Sequence, residues 1–161
     1  MKKKVLYGFV ALLLVAGATG CGKTKEEEKK ELTVVCTTEK DTTVGFEHQN
    51  EYTYHFDDNQ YETGVTIVTT QKFDDKSVYE EYKKAQEETV KDDSEENITY
   101  DLKTDDENMT LIFTMSIKGY NVNEAETEEE KAQMLASSIL KMNEEQGSTC
   151  KVNGLDRSEL K

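Results

Sequence analysis

The sequence predicts an α+β domain in which an antiparallel sheet has one face covered by two helices. Several segments alternate apolar and polar residues with the period of two that is typical of half-buried strands. Two other segments repeat apolar residues at helical spacing, and together the segments follow one another in the order ββαββα. Because each helix has one apolar stripe to bury, the simplest packing places both helices on the same face of the sheet.

Residues 1–20 are predicted to be a lipoprotein signal peptide. Lys2–Lys4 form a basic start, and Val5–Ala18 form an apolar run of 14 residues. This run is shorter than the roughly 20 residues that a membrane-spanning helix needs. The residues Ala18-Thr19-Gly20-Cys21 resemble the bacterial lipobox, which implies cleavage before Cys21 and a diacylglyceryl thioether on its sulfur. The alternative is an uncleaved signal anchor.

Residues 21–31 are predicted to be the lipidated Cys followed by a charged tether. The stretch from Gly22 to Glu31 contains no apolar residue, so it has nothing to bury against a core. A frayed helix held by neighbouring Glu and Lys side chains is the alternative. The single α+β domain is then expected to occupy residues 32–161.

The first predicted hairpin and helix lie in the first half of this domain. The first strand alternates at Tyr52, Tyr54 and Phe56, and the second at Val65, Ile67 and Thr69, with a turn at 57–60 between them. Ser77 and Glu80 have the spacing of a capping box, which predicts the start of a helix. Its apolar stripe is expected to consist of Val78, Tyr82, Ala85 and Thr89, with the helix running to about Val90.

The second half of the domain repeats this order. A strand over 98–102, a turn at 104–108 and a strand with Met109, Leu111, Phe113, Met115 and Ile117 on one face predict a second hairpin. The two units are offset by about 46 residues, which suggests an internal duplication; chance similarity between strand-turn-strand units is the alternative.

A second helix is predicted to begin at Thr127–Glu130, where acidic side chains favour a helix start, and to end at Gly147. Its stripe consists of Lys131, Ala132, Leu135, Ala136, Ile139, Leu140 and Met142. Two further strands at the ends of the domain, over 32–38 and 149–152, complete the prediction.

Cys36 and Cys150 lie in the first and last of these predicted strands. Outside the cytoplasm a disulfide between them is possible, and it would close a loop of more than a hundred residues. In the chain-entropy model such a bond stabilises the fold by roughly 4–5 kcal/mol. Two buried free thiols and a redox pair are the alternatives, although no CxxC motif is present.

The signal peptide, the charged tether, the ββαββα order and the final strand near Gly147–Val152 are together similar to the YehR-like small bacterial lipoproteins. That family has no established biochemical activity. The resemblance implies an α+β fold and a place in the cell envelope, and it assigns no functional residue.

The composition excludes several classes of function. Beyond residue 20 the chain has 17 Lys and Arg against 34 Asp and Glu, so it would repel nucleic acid and anionic lipid headgroups. The two histidines, His48 and His55, are too few for a zinc site or a catalytic triad and are expected at the solvated surface. Acidic pairs at 57–58, 74–75, 92–93 and 105–106 suit turns and helix caps, and calcium binding there is the alternative. We therefore expect no catalytic residue, no metal and no cofactor.

The sequence thus favours a non-enzymatic accessory or binding domain, lipid-anchored to the cell membrane on the extracytoplasmic face of a bacterium. The membrane is the partner that the anchor implies, and an envelope protein or peptide bound through a sheet face or edge is the second. A ligand-capturing lipoprotein that serves a transporter is the alternative, and a small envelope hydrolase is a weaker one. The sequence does not indicate the oligomeric state.

Overall fold

A computed structural model describes residues 31–91 and 96–161. Its regular elements are β1 (Thr33–Thr37), β2 (Glu47–Phe56), β3 (Glu62–Lys72), α1 (Lys76–Lys91), β4 (Ile98–Asp105), β5 (Thr110–Lys118), α2 (Glu128–Gln133), α3 (Ala136–Glu145) and β6 (Thr149–Asn153). Short 3-10 helices lie at Val122–Glu124 and Arg157–Glu159. The predicted signal peptide, Cys21 and the tether up to residue 30 lie outside the described residues, as do Asp92 and Asp93.

The six strands form one antiparallel sheet in the order β4-β5-β3-β2-β1-β6. The α+β fold with an antiparallel sheet is therefore confirmed. The two predicted hairpins, β2-β3 and β4-β5, join where β3 pairs with β5. The two terminal strands lie side by side at the other end of the sheet, because β1 pairs with both β2 and β6.

The hairpin tips form where the sequence predicts them, and aspartates shape both. The Asp57 carboxylate accepts the backbone N–H groups of Asn59 and Tyr61. Asp105 accepts those of Glu107 and Asn108. Such bonds let a short side chain replace the missing ladder partners of a turn. They also hold the pKa of the Asp105 carboxyl below its usual range, together with a bond from the Asn108 amide.

One row of side chains crosses the whole sheet on the face that carries the helices, which we call the helix face. Its members lie opposite one another on adjacent strands, in the order Cys150, Cys36, Tyr52, Ile67, Met115 and Tyr100. The opposite, open face is rich in hydroxyl groups: in one row Thr53, Thr66, Ser116 and Thr99 lie next to each other. The aromatic side chains in the middle of the sheet therefore lie on the helix face.

The first helix forms, but its cap and its buried side differ from the prediction. Asp75, not Ser77, caps α1, because its carboxylate accepts the N–H groups of Ser77 and Val78. The residue that α1 buries is Tyr79, whose hydroxyl donates to Asp106 at 2.5 Å. Tyr82 is 38% exposed. The buried side of α1 is therefore shifted by one residue from the predicted apolar stripe, which contained Val78 and Tyr82. The hydrogen bond to Asp106 holds Tyr79 on the side of the helix that faces the sheet.

The second helix is broken into two. The capping box at Thr127 and Glu130 is present and starts α2 as predicted. The helix is interrupted at Leu135, whose extended backbone forms a bridge to Tyr61. The Ala136 N–H donates to the Gln60 carbonyl, so α3 starts against the β2-β3 turn. Consequently α3 buries Ala136, Ile139, Leu140 and Asn143, whereas Met142, predicted to be in the stripe, is 48% exposed.

Two separate apolar cores lie on the helix face. One lies under α3 and contains Leu32, Val34, Cys36, Phe56, Ala136, Ile139 and Leu140. The other lies at the start of α1 and contains Phe46, Phe73, Tyr79 and Leu111. The approximate symmetry of two hairpin-helix units around the β3-β5 pair is compatible with a duplication, which stays a prediction.

Cys36 and Cys150 form a disulfide between β1 and β6, with Cα atoms 4.1 Å apart. They are directly opposed partners in the strand register. Cys36 is completely buried in the core under α3. Within the described part of the chain, no helix combines the length and apolar character needed to cross a membrane.

Candidate functional site

The middle of the helix face is left partly open. α1 lies over β4 and β5, whereas α3 lies over β1 and β6. Between them, the row residues Tyr52, Ile67, Met115 and Tyr100 are only half-buried. Aromatic neighbours extend this surface: Tyr52 stacks on Tyr54 with ring centroids 6.2 Å apart. We call this surface, defined by the four row residues, the central groove.

Next to this surface, near α2, lies an open cleft of about 610 Å³, and the Tyr54 ring that stacks on Tyr52 is part of its lining. Its apolar lining is provided by Tyr54, Ala125, Met134, Ile139 and Met142. The break between α2 and α3 positions this lining, because the Glu62 N–H donates to the Met134 carbonyl and ties the break to β3. A continuous helix would not make this contact. We call this site the acidic cleft, for the carboxylates described next.

Glu62 is the acidic residue that lies deepest in the cleft. The strand register shifts between His55 and Phe56, so Glu62 pairs with Phe56 and shares its face. Phe56 belongs to the core under α3, which places Glu62 on the helix face. Among the described residues, none donates a hydrogen bond or forms an ion pair with the Glu62 carboxylate.

Burial without a partner changes the protonation of Glu62. Desolvation raises the pKa of its carboxyl to about 7, because an unpaired charge is poorly solvated in a half-buried position. Two phenols respond to this carboxylate. Burial raises the pKa of Tyr54 and of Tyr120, and the negative charge of Glu62 raises both further. The cleft therefore places the Glu62 carboxyl group near the Tyr54 ring, which is part of the same lining.

Three further carboxylates line the cleft, and two of them have local structural roles. Glu130 accepts the backbone N–H groups of Glu126 and Thr127 at the start of α2, at 2.7 and 3.0 Å. Glu124 accepts from the Asn121 amide at 3.3 Å. With Glu62 and Glu126, the described residues place four carboxylates in the lining, and none of their Lys, Arg or His side chains lines it. Its potential is therefore negative.

A hydrogen bond between sheet and helix fixes the cleft floor. The Tyr54 hydroxyl lies 3.3 Å from Asn143 Oδ1 and 3.2 Å from its Nδ2. The Asn143 amide also donates to the Ile139 carbonyl at 2.9 Å. Because Asn143 is 4% exposed, this polar contact is shielded from water. It holds the Tyr54 ring in a defined position against α3.

The other end of the helix face contains a small polar cluster. Gln86 on α1 donates to the Gln71 side chain on β3 at 2.6 Å. His48 lies next to Gln71 in the strand register. His48 Nδ1 and Gln86 Oε1 are buried, and neither has a hydrogen-bond partner among the described residues. The prediction that His48 lies at the solvated surface is therefore wrong for this nitrogen, because β2 turns it inward.

The remaining predicted residues have local partners. His55 lies on the open face, with Nδ1 3.0 Å from the Glu31 carboxylate. Asp57, Asp75 and Asp105 bond turn or cap N–H groups, as predicted. Among residues 31–91 and 96–161, no three His, Cys, Asp or Glu side chains are placed to hold a metal ion.

A second depression, of about 360 Å³, lies on the open face. Lys72, Lys103, Thr110 and Ile112 line part of it. It lies between side chains of neighbouring strands and has no aromatic lining. The acidic cleft is larger and joins the central groove, so it is the stronger candidate site.

No family model, curated protein or solved structure matches this chain. The candidate site therefore depends on the geometry of this chain alone. Sequence reasoning did not identify Glu62 as a site residue, because a strand register shift determines the face on which it lies. One acidic residue three positions before Val65, at the start of the second strand of the hairpin, was the only sign of it in the sequence.

Proposed function

We propose that this chain is a lipid-anchored extracytoplasmic binding domain of a bacterium. Its anchor is the thioether on Cys21, and its binding surface is the central groove with the acidic cleft. The observation that carries the binding role is the row of half-buried aromatic and aliphatic side chains left uncovered between α1 and α3. Accessible apolar surface of this kind is a frequent site of interaction with a ligand or a partner.

The size and lining of the cleft favour a small ligand. A volume of about 610 Å³ falls within the range of common ligand sites, and the lining is divided about equally between apolar side chains and acidic or amide side chains. This observation also supports the second candidate function, a lipoprotein that captures a ligand for a transporter. Both functions use the same surface and differ in what happens to the ligand after binding.

The proposal is a non-enzymatic one. Hydrolysis by paired carboxylates requires two of them free to act on one bond. Glu130 is bound to the start of α2, and Glu124 to Asn121, which leaves Glu62 and Glu126 as the candidates for such a pair. Burial, not the charge of Glu126, raises the pKa of Glu62, so the two carboxyl groups do not act as a coupled pair. Cys36 and Cys150 are joined to each other and supply no nucleophile. The similarity to the YehR-like lipoproteins remains part of this proposal.

The anchor is tested by metabolic labelling with a palmitate analogue. We expect label on the wild-type chain and none on Cys21→Ala, because the thioether requires the sulfur of Cys21. Cys36→Ala is a matched control, since it removes a cysteine without touching the lipobox. Equal labelling of wild type and Cys21→Ala contradicts the anchor.

The methyl groups of four methionines can report by NMR whether a ligand binds to the proposed surface. Met115 lies in the central groove, Met134 and Met142 line the acidic cleft, and Met109 packs against the separate core at α1. Methyl NMR spectra of the full chain in a neutral detergent are recorded with phenethylammonium, phenethyl alcohol and phenylpropanoate. We expect at least one probe to shift Met115, Met134 or Met142 while Met109 stays unchanged. If none of the three probes shifts these methyl groups selectively, the proposed binding surface is wrong.

A further inference from the structure

We propose that the acidic cleft binds a small organic cation, a protonated amine attached to an apolar body, with the Glu62 carboxylate as its counter-ion. This inference rests on the proposed function, because it names the class of ligand for the same site. Its basis is the combination of an apolar cleft with a half-buried carboxylate that has no partner among the described residues.

The charge of the site selects the sign of the ligand. Within residues 31–91 and 96–161, four carboxylates and no basic side chain line the cleft. The nearest lysine on α2, Lys131, is already paired with Glu128 at 2.7 Å. An anionic ligand would meet repulsion from every charged group in the lining, whereas a cation is attracted by all of them.

The shape and chemistry of the walls select the kind of cation. A calcium or magnesium ion needs several oxygen ligands arranged around one point. The described residues contain no such group of three acidic side chains. Tyr54, Met134, Ile139 and Met142 instead offer an apolar and aromatic surface. Such a surface suits the hydrocarbon part of an amine, and the tyrosine ring attracts its cationic group.

A bound cation would stabilise the ionised form of the Glu62 carboxyl group. In the half-buried position its charge is poorly solvated, which disfavours the ionised carboxylate. A bound ammonium group would supply the missing partner and stabilise the ionised form. The groups that face Glu62 from the surrounding elements are Tyr54, Tyr120, Glu124, Glu126 and Glu130. None of these is a cation that could already do so.

The three NMR probes separate the charge of the ligand from its shape, because each has a phenyl ring on a short chain. With the full chain in neutral detergent at pH 8, we expect phenethylammonium to bind at least about tenfold more tightly than phenethyl alcohol, about the gain of one charge-assisted hydrogen bond. We expect no selective shift with phenylpropanoate. Binding of phenethylammonium should weaken at pH 5, where Glu62 is protonated.

Two substitutions test whether Glu62 is responsible. Glu62→Gln removes the charge with almost no change of shape, and we expect it to weaken phenethylammonium binding about tenfold at pH 8 while leaving phenethyl alcohol unaffected. Glu51→Gln is the matched control. Glu51 is exposed on the open face, and its replacement by Gln changes the net charge by the same amount. An unchanged Met109 methyl position shows that each variant is folded.

The outcomes distinguish this inference from the proposed function. If the neutral alcohol binds the groove as tightly as the ammonium probe, or if Glu62→Gln binds the ammonium probe like the wild type, the cation proposal is overturned and the groove remains a binding surface. If Glu51→Gln weakens phenethylammonium binding as much as Glu62→Gln does, the net charge of the protein rather than Glu62 is responsible. That result also overturns the cation proposal. If no probe binds, both proposals fail together.

Discussion

Tyr54 and Asn143 join the sheet to α3 although they are 89 residues apart in the chain, with the Asn143 amide nitrogen 3.2 Å from the Tyr54 hydroxyl. Asn143 is buried, and Tyr54 is a wall of the acidic cleft. The same amide also satisfies the Ile139 carbonyl inside α3. One side chain thus links the packing of the helix to the position of the aromatic wall.

Loss of Asn143 should cost more stability than loss of the Tyr54 hydroxyl. Asn143→Ala leaves a buried hydroxyl unsatisfied and removes side-chain packing, so we expect a decrease of about 1–3 kcal/mol in the free energy of unfolding. Tyr54→Phe keeps the ring and should cost about 0.5–1.5 kcal/mol. Urea denaturation measures both, and equal costs would contradict the assigned role of Asn143.

The disulfide should contribute a large part of the stability. Replacing both Cys36 and Cys150 by Ala releases a loop of 114 residues, which in the chain-entropy model costs roughly 4–5 kcal/mol. Urea denaturation of wild type and double variant under non-reducing conditions measures the difference. The intact mass of the wild type should increase by two hydrogens on reduction, and an unchanged mass would show that the bond is absent.

Glu62 should make the fold less stable as the pH rises. Its folded pKa of about 7 lies above the usual 4.5, so between these values the folded state holds a proton that the unfolded chain has released. Stability therefore falls through this window and is level above it. After discounting for partial exposure, Glu62→Gln should gain about 1–2 kcal/mol at pH 8 relative to pH 4. Denaturation at pH 4 and pH 8 measures the free energy of unfolding, and the control Glu51→Gln should show no such gain in stability.

Gly64 and Gly147 should tolerate substitution differently, because one lacks space and the other requires an unusual backbone angle. A Cβ atom on Gly64 would lie 2.4 Å from the Ile117 carbonyl oxygen, so Gly64→Ala should cost about 2–3 kcal/mol through strain between β3 and β5. Gly147 has φ +88° and open space around it. Gly147→Asn should therefore be tolerated better than Gly147→Ala, whereas Gly64→Asn should be as harmful as Gly64→Ala. Thermal unfolding of the four variants checks this order.

Local patterns predicted the strands and turns well. The alternation of Tyr52, Tyr54 and Phe56 indicated both the strand and the face that its side chains share, because the period of a strand is fixed by its geometry. The aspartates at the hairpin tips act through neighbouring backbone groups, so short-range sequence was sufficient to find them. The pairing of Cys36 with Cys150 followed from their placement in terminal strands that became neighbours.

The errors occurred where a distant residue determines the local structure. The break at Leu135 is stabilised by a bridge to Tyr61, and a helical stripe contains no information about that contact. The phase of α1 is set by the bond of Tyr79 to Asp106, across 27 residues. Glu62 reaches the cleft only through a register shift between two strands. The candidate site was missed because each of its parts depends on such a long-range contact.

The disulfide also determines how the domain would respond to mechanical load. A force that pulls on the chain at Leu32 can detach only Thr33, Val34 and Val35 from the sheet before it acts on Cys36. From there the force passes through the sulfur bridge to Cys150 and bypasses the 114-residue span that contains the groove and both hairpins. A domain pulled from its first strand would therefore keep the central groove folded under forces that unfold a protein without this disulfide.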